Sequence, residues 1–215
     1  MIQAHMHTDP SGNEQHTVES LLGNTDIYLV DQIMKGRYSM SDRVLDAGCG
    51  DGRNLHWFVA RGIEVFGIDR DAVSIGSLLR KYPTVPHEHI LVADVGAMPF
   101  EDNFFDAVIS SAVLHFADSD QEFFRMFGEL VRVLKPGGTL FVRMATEIGV
   151  EKSIRRVQDG VYDLADGSRR FLLTRQILIQ IGSAYPLAMI EDFKTVVVND
   201  ARSMAVVLWR KQGLQ

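Results

Sequence analysis

Cysteine is nearly missing from this sequence: Cys49 is the single one among 215 residues, which excludes an internal disulfide and fits a reducing compartment. No apolar run approaches the roughly 20 residues of a membrane helix. The opening stretch MIQAHMHTDPSGNEQH lacks a basic region followed by an apolar one, so no secretion signal is expected. Sustained runs of Lys or Arg are absent too, and the net charge is −6, which argues against a nucleic acid as the main partner. His5 with His7, and His87 with His89, have no Cys or carboxylate at ligand spacing, so no metal site is expected. These absences leave a cytoplasmic protein that acts on small molecules and sits on no membrane.

The residues that are present, 46% hydrophobic and 23% charged, suit a soluble domain long enough to bury a proper core. Residues 1–14 are polar and read as a flexible tail, and residues 15–215 as one domain. Within it, Ile27, Val30, Ile33 and Met34 recur at helical spacing behind a Thr25 or Asp26 cap, with Gly36 as the stop, giving an N-terminal helical cap over 15–40. From residue 43, short aliphatic runs (RVLDAG, IEVFGID, HILVAD, FFDAVISSAV, TLFVRMAT) alternate with helical periods, and a KPGG turn precedes the last of these runs. The runs are apolar on both faces, the mark of a parallel sheet covered on both sides, so the chain reads as a doubly wound α/β fold. EDFKTVVVND and RSMAVVLWRK are too close together for a helical crossover and should form an antiparallel hairpin. Residues 147–173 are polar and rich in turn signals, an excursion over the sheet's edge and a candidate substrate lid.

The stretch VLDAGCGDGRN, residues 44–54, runs from a strand into alternating glycines, where the backbone can turn sharply and come close to a ligand. The dinucleotide fingerprint G-x-G-x-x-G would need glycine where Arg53 stands, and Asp51 would set a negative charge against a pyrophosphate. A ligand with a cationic part fits better. Cys49, between two glycines, reads as a small residue in a tight turn rather than a reactive thiol.

With Asp46 at the strand end, VLDAGCGDG resembles the first motif of the class I S-adenosylmethionine-dependent methyltransferases. Asp69 ending EVFGID, Asp94 in LVADV, FDAVISSAVLHF and LVRVLKPGGTLFV resemble that family's later motifs, in its order. The resemblance covers about residues 26–145 closely. It implies a Rossmann-like, seven-stranded, mostly parallel sheet with the last strand antiparallel, inserted between the fifth and sixth. It also implies S-adenosyl-L-methionine as cofactor and S-adenosyl-L-homocysteine as product. By that resemblance Gly48, Cys49 and Gly50 approach the methionine part, Asp46 orients the loop and the ammonium, and Gly52 lets the following helix pack. Asp69, with Arg70 beside it, accepts from the ribose hydroxyls; Asp94 and the Val95 amide meet the adenine; and Ser110 and Ser111 lie near the sulfonium. Tyr28 and Arg37 are candidates to close over the cofactor. Taken singly, Asp46 as a turn former, Asp69 with Arg70 as a surface pair and Asp94 as a loop cap remain open.

His115 is the nearest candidate base, with support of its loop as the other reading. Arg143 is placed either to recognise an acidic acceptor or to pair with an acid of the 147–173 excursion, and Arg170 could reach the acceptor from the lid. The N-terminal helix, SAVLHF and RMATEIG are similar to small bacterial methyltransferases of the tellurite-resistance type. The function expected is methyl transfer to a small-molecule acceptor by in-line displacement. A noncatalytic binding module and, behind it, a nicotinamide oxidoreductase are the alternatives. The acceptor's identity and the oligomeric state stay open.

Overall fold

A computed structural model describes residues 17–213; the tail expected over 1–14, with His5 and His7, lies outside the described residues. In chain order the elements are α1 (Val18–Leu22), α2 (Ile27–Met34), β1 (Arg43–Ala47), α3 (His56–Ala60), β2 (Glu64–Asp69), α4 (Ala72–Lys81), β3 (Ile90–Val92), β4 (Phe105–Ser111), α5 (Asp120–Val133) and β5 (Leu134–Thr146). They continue as β6 (Arg155–Gln158), β7 (Val161–Asp163), β8 (Arg169–Phe171), α6 (Arg175–Ala184), β9 (Leu187–Met189), β10 (Lys194–Val198) and β11 (Arg202–Lys211). The main sheet runs β10-β11-β5-β4-β1-β2-β3, the seven strands expected, with short β9 paired to the far end of β11. β1 to β5 are mutually parallel, and β11 is antiparallel to both β5 and β10, lying between them.

The apolar runs have a simple cause: alternate residues of one strand serve two cores. Val44, Ala107, Ile109 and Phe141 face Leu29, Phe58, Ile75 and Leu78 of α2, α3 and α4. Leu45, Ala47, Val108, Leu140 and Val142 join Phe123, Phe127, Leu130, Ile177 and Ile181 of α5 and α6 on the other side. Each fully buried Leu or Phe contributes about 1.5–3 kcal/mol. Strand order reverses between β2-β1 and β4, which opens a crevice beyond the carboxyl ends, where loops gather.

Several local expectations shift. Helix α2 has its Asp26 cap, whose carboxylate accepts the Tyr28 N–H, but it buries Leu29 and Gln32, while Ile27 and Met34 are exposed. Gln32 is held by polar contacts: its Nε2 donates to Asp31 and Glu191, inside a cluster where Lys35 and Lys194 also grip both carboxylates. KPGG lies within β5, where the register with β4 shifts between Phe105 and Ala107. Residues 155–171 form a second, three-stranded antiparallel sheet, β6-β7-β8. It continues from the end of β5, an interior strand, so it stands over the carboxyl ends rather than over the sheet's edge. Phe171 anchors it, stacking on Phe123 with ring centres 4.6 Å apart.

Candidate active site

β1 delivers Asp46 into the core, fully buried, and among the described residues neither carboxylate oxygen has a hydrogen-bond partner. Burial pushes its pKa up to about 7; Arg53 opposes the shift, and Asp69 and Asp26 reinforce it. The glycine loop is tied to β2, because the Gly48 and Cys49 N–H groups both donate to the Ile68 carbonyl, at 2.8 and 2.9 Å. The Cys49 thiol is buried, and burial with the nearby Asp46 and Asp69 charges raises its pKa far above the ordinary range, so it is no nucleophile. Gly48 has φ +84°, and a Cβ there would overlap Val113. Gly48→Ala should therefore cost about 1–2 kcal/mol for backbone strain alone, more with the overlap, and a urea midpoint within error of wild type would refute this. Gly50, at φ +53°, has open space on its Cβ side.

The Gly50 N–H donates to Asp69 Oδ2 at 2.9 Å, and the Asp71 N–H donates to Oδ1 at 2.9 Å. Each oxygen keeps a second acceptor site. Asp94 Oδ1 accepts the Gly96 N–H at 2.6 Å and Arg125 at 3.2 Å; among the described residues Oδ2 accepts nothing. So Asp94 does cap its loop, with one oxygen to spare. Gly48, Asp69, Arg70, Asp94 and Val95 come together around one cavity of about 250 Å³, closed on the other side by Ala112, Val113, Phe116 and Met126. Asp46, Cys49, Gly50, Ser110, Ser111, Tyr28 and Arg37 are not in that wall. Ser110 is buried, Ser111 donates to Asp26, and Arg37 lies 3.9 Å from Glu191.

A methyltransferase-domain family model matches residues 45–142, from within β1 to within β5 and a little under half of the chain. Over that span the chain resembles the methyltransferase-domain family. It is 36% identical over 99 residues to a tRNA (carboxymethyluridine(34)-5-O)-methyltransferase of Arabidopsis thaliana, a match to 46% of this chain and 23% of that one. It is 35% identical over 106 residues to a malonyl-[acyl-carrier protein] O-methyltransferase of Enterobacter lignolyticus, covering 49% of this chain and 40% of that one. The chain thus spans well under half the length of these curated relatives. In fold it is similar to the Burkholderia thailandensis 1,6-didemethyltoxoflavin-N1-methyltransferase, solved with 1,6-didemethyltoxoflavin and S-adenosylhomocysteine. That match has a TM-score of 0.66 at 18% identity, over 89% of this chain and 80% of that one.

A second cavity, of about 230 Å³, shares Ala112 with the first. Ala112 holds φ +63°, a left-handed conformation unusual for alanine, with its N–H donating to the Arg143 carbonyl at 2.7 Å. His115, Arg143, Arg170 and Arg202 line this second space, with Ser203 and Asp166. His115 is buried, and its Nδ1 accepts the Ala145 N–H at 3.3 Å. A backbone N–H can only donate, so the neutral ring carries its proton on Nε2. Burial, with Arg170 and Arg143 nearby, lowers the pKa to about 4. The Nδ1 lone pair of His115 is therefore engaged within the fold, which leaves the ring a donor at Nε2.

Arg143 does pair with an acid, but not one from the excursion. Its partner is Asp26, the cap of α2, at 3.2 Å. The same buried carboxylate oxygen takes Arg53 at 3.5 Å and the Ser111 hydroxyl at 3.2 Å. Tyr28 lies beneath Arg143, ring centre to guanidinium 5.5 Å. Sequence reading had Asp26 only as a cap and missed Ala112, Arg202 and Ser203 altogether. Among the described residues no group of three or more His, Cys, Asp or Glu could hold a metal ion, and no helix is long and apolar enough to cross a membrane.

Proposed function

We propose that the chain transfers a methyl group from S-adenosylmethionine to a small-molecule acceptor, the cofactor in the first cavity and the acceptor in the second. One observation carries this: two cavities of opposite charge share the Ala112 wall, one bordered by strand-end carboxylates and the other by arginines. The first suits the cofactor by its donor and acceptor pattern. Asp69 has acceptor sites left for a pair of ribose hydroxyls, Asp94 Oδ2 and the Val95 amide for an adenine edge, and orphaned Asp46 for a cation nearby. When bound, S-adenosylmethionine supplies a methyl on a sulfonium; an acceptor lone pair forms the new bond to carbon as the S–C pair returns to sulfur, leaving S-adenosylhomocysteine.

The residues of this chain align the acceptor and exclude water, the main demand of an in-line displacement. Among the described residues that wall the second cavity, the titratable acceptors are largely engaged, and Asp166 Oδ2, 3.8 Å from Arg202, is the carboxylate oxygen left without a hydrogen bond. His115 Nδ1 is engaged, and Asp166 Oδ1 accepts both the Ser168 N–H at 2.9 Å and its hydroxyl at 2.6 Å. A nucleophile that arrives protonated gives its proton to solvent or to Asp166 Oδ2. Calorimetric titration should show saturable binding of S-adenosylmethionine and S-adenosylhomocysteine and none of NAD. Asp69→Ala should weaken the first two by about 1–3 kcal/mol, the scale of hydrogen bonds to a charged group. NAD binding in their place would overturn the reading, and unchanged affinity in a folded Asp69→Ala would overturn the ribose assignment.

A further inference from the structure

Resting on that two-cavity reading, we infer that the acceptor is a small acid, anchored through its anionic group by Arg143, Arg170, Arg202, Ser203 and His115. Three guanidinium groups border one small space in a chain whose net charge is −6, so their grouping is local and runs against the overall balance. The acids there neutralise them only in part. Arg143 shares Asp26 with Arg53, and Asp166 is turned to Ser168 and stands 3.8 Å from Arg202. Arg170 has only the Arg169 carbonyl, at 2.7 Å, and the face of Phe116, 5.0 Å from its guanidinium.

Of the buried polar atoms that lack a partner among the described residues, two belong to this lining: Arg143 Nε and Ser203 Oγ. Both belong to residues that wall the cavity, and Ser203 is 1% exposed. Leaving a buried donor unpaired is costly, and a charged donor more so. The His115 Nε2–H adds another donor and no charge. What the unpaired donors of this lining lack is an acceptor, and an oxyanion supplies several at once. A carboxylate or a phosphate ester has that chemistry. The cavity's 230 Å³ falls below the roughly 300–1,000 Å³ of pockets for drug-sized ligands, which favours a small acid over a large one.

An RNA phosphate would satisfy the same donors, but a polyanion would also have to approach a net-negative chain. Phe116 ties the two cavities together, walling the first while Arg170 lies over its ring. The anchor thus sits one side chain away from the proposed cofactor.

The test titrates the full chain, with and without S-adenosylhomocysteine, with benzoate against benzamide, phenyl phosphate against phenol, and bulk tRNA. At least one small anion should bind about tenfold or more tighter than its neutral counterpart, and R202Q and R170Q should each remove about tenfold of that. S-adenosylhomocysteine affinity in R202Q serves as the control. Preference for benzoate points to a carboxylic acid and for phenyl phosphate to a phosphate ester. Anions binding no better than their neutral counterparts, anion affinity unchanged in both variants, or tRNA displacing the small anions would each overturn the inference. Loss of S-adenosylhomocysteine binding with anion preference intact would instead overturn the cofactor assignment alone.

Discussion

Asp26→Ala should destabilise the fold by about 3 kcal/mol, because removing one partner of a buried ion pair leaves the other charge uncompensated. The carboxylate is 3% exposed and holds four groups: the Tyr28 N–H, the Ser111 hydroxyl, Arg143 and Arg53. The two arginines are partly open to water, at 24% and 38% side-chain exposure, which keeps the loss toward the lower end of the range for breaking such pairs. Loss of the helix cap adds about 1 kcal/mol of its own and is included in the total. For a chain of this length a loss of that size lowers Tm by about 6–12 °C. Asp26→Asn keeps a cap acceptor and a hydrogen-bonding oxygen but no charge, so it should fall between alanine and wild type. Denaturant midpoints with an unchanged slope are the measurement. A change in Asp26→Ala within about 0.5 kcal/mol, the scatter of ordinary surface substitutions, would mean that water already shares the arginines' charge.

The second large effect concerns Asp46 and pH. Its pKa is about 7 in the fold against 3.8 for an ordinary aspartate, so between those limits the folded chain holds a proton that the unfolded chain has lost. Stability from this group is therefore fully present at low pH and falls as pH rises from about 4 to about 7, staying low above that. Asp46→Asn should flatten this part of the profile and be the more stable protein at pH 8. Cofactor binding should run the other way. A cation beside Asp46 favours the ionised form, so uptake of S-adenosylmethionine below pH 7 should release a proton and tighten as pH rises. Calorimetry in two buffers of different ionisation heat reads that proton directly. Equal heats in both at pH 6, or proton release that survives in Asp46→Asn, would remove Asp46 from the cofactor's surroundings.

How much could be read from the sequence follows distance along the chain. The glycine loop and the acids Asp46, Asp69 and Asp94 were legible because each motif is local, a strand end with its own turn, and the parallel order sets the ends side by side. The hairpin was legible from the shortness of its turn. The Asp26 cluster was not, since its members come from the α2 cap, the loop after β1, the end of β4 and the middle of β5, and only the folded sheet brings them together. Arg202 and Ser203 were hidden for a related reason. They open β11, and only its antiparallel register, with Ser203 opposite Thr146, sets them at the acceptor end of β5. His115 stands out in the sequence after the fourth strand, but its tautomer depends on the N–H of Ala145 in another strand.

The chain leaves β5 at Thr146 and comes back at Leu173, and these two residues bridge, with the Thr146 hydroxyl donating to the Leu173 carbonyl at 2.6 Å. Everything between them is thus a cassette whose ends are already clasped. Such an insert can change in length or sequence at small entropic cost to the rest of the molecule, since closing a longer loop adds little once its ends are fixed. Its two turns are unequal in this respect. Gly160 is pressed against Phe171 and Asp120, whereas Gly167 has nothing within 4 Å of its Cβ position. The tip near Gly167, which carries Asp166 and Ser168 into the wall of the second cavity, is the place where this domain can be refitted by drift or by design without touching the sheet or the glycine loop.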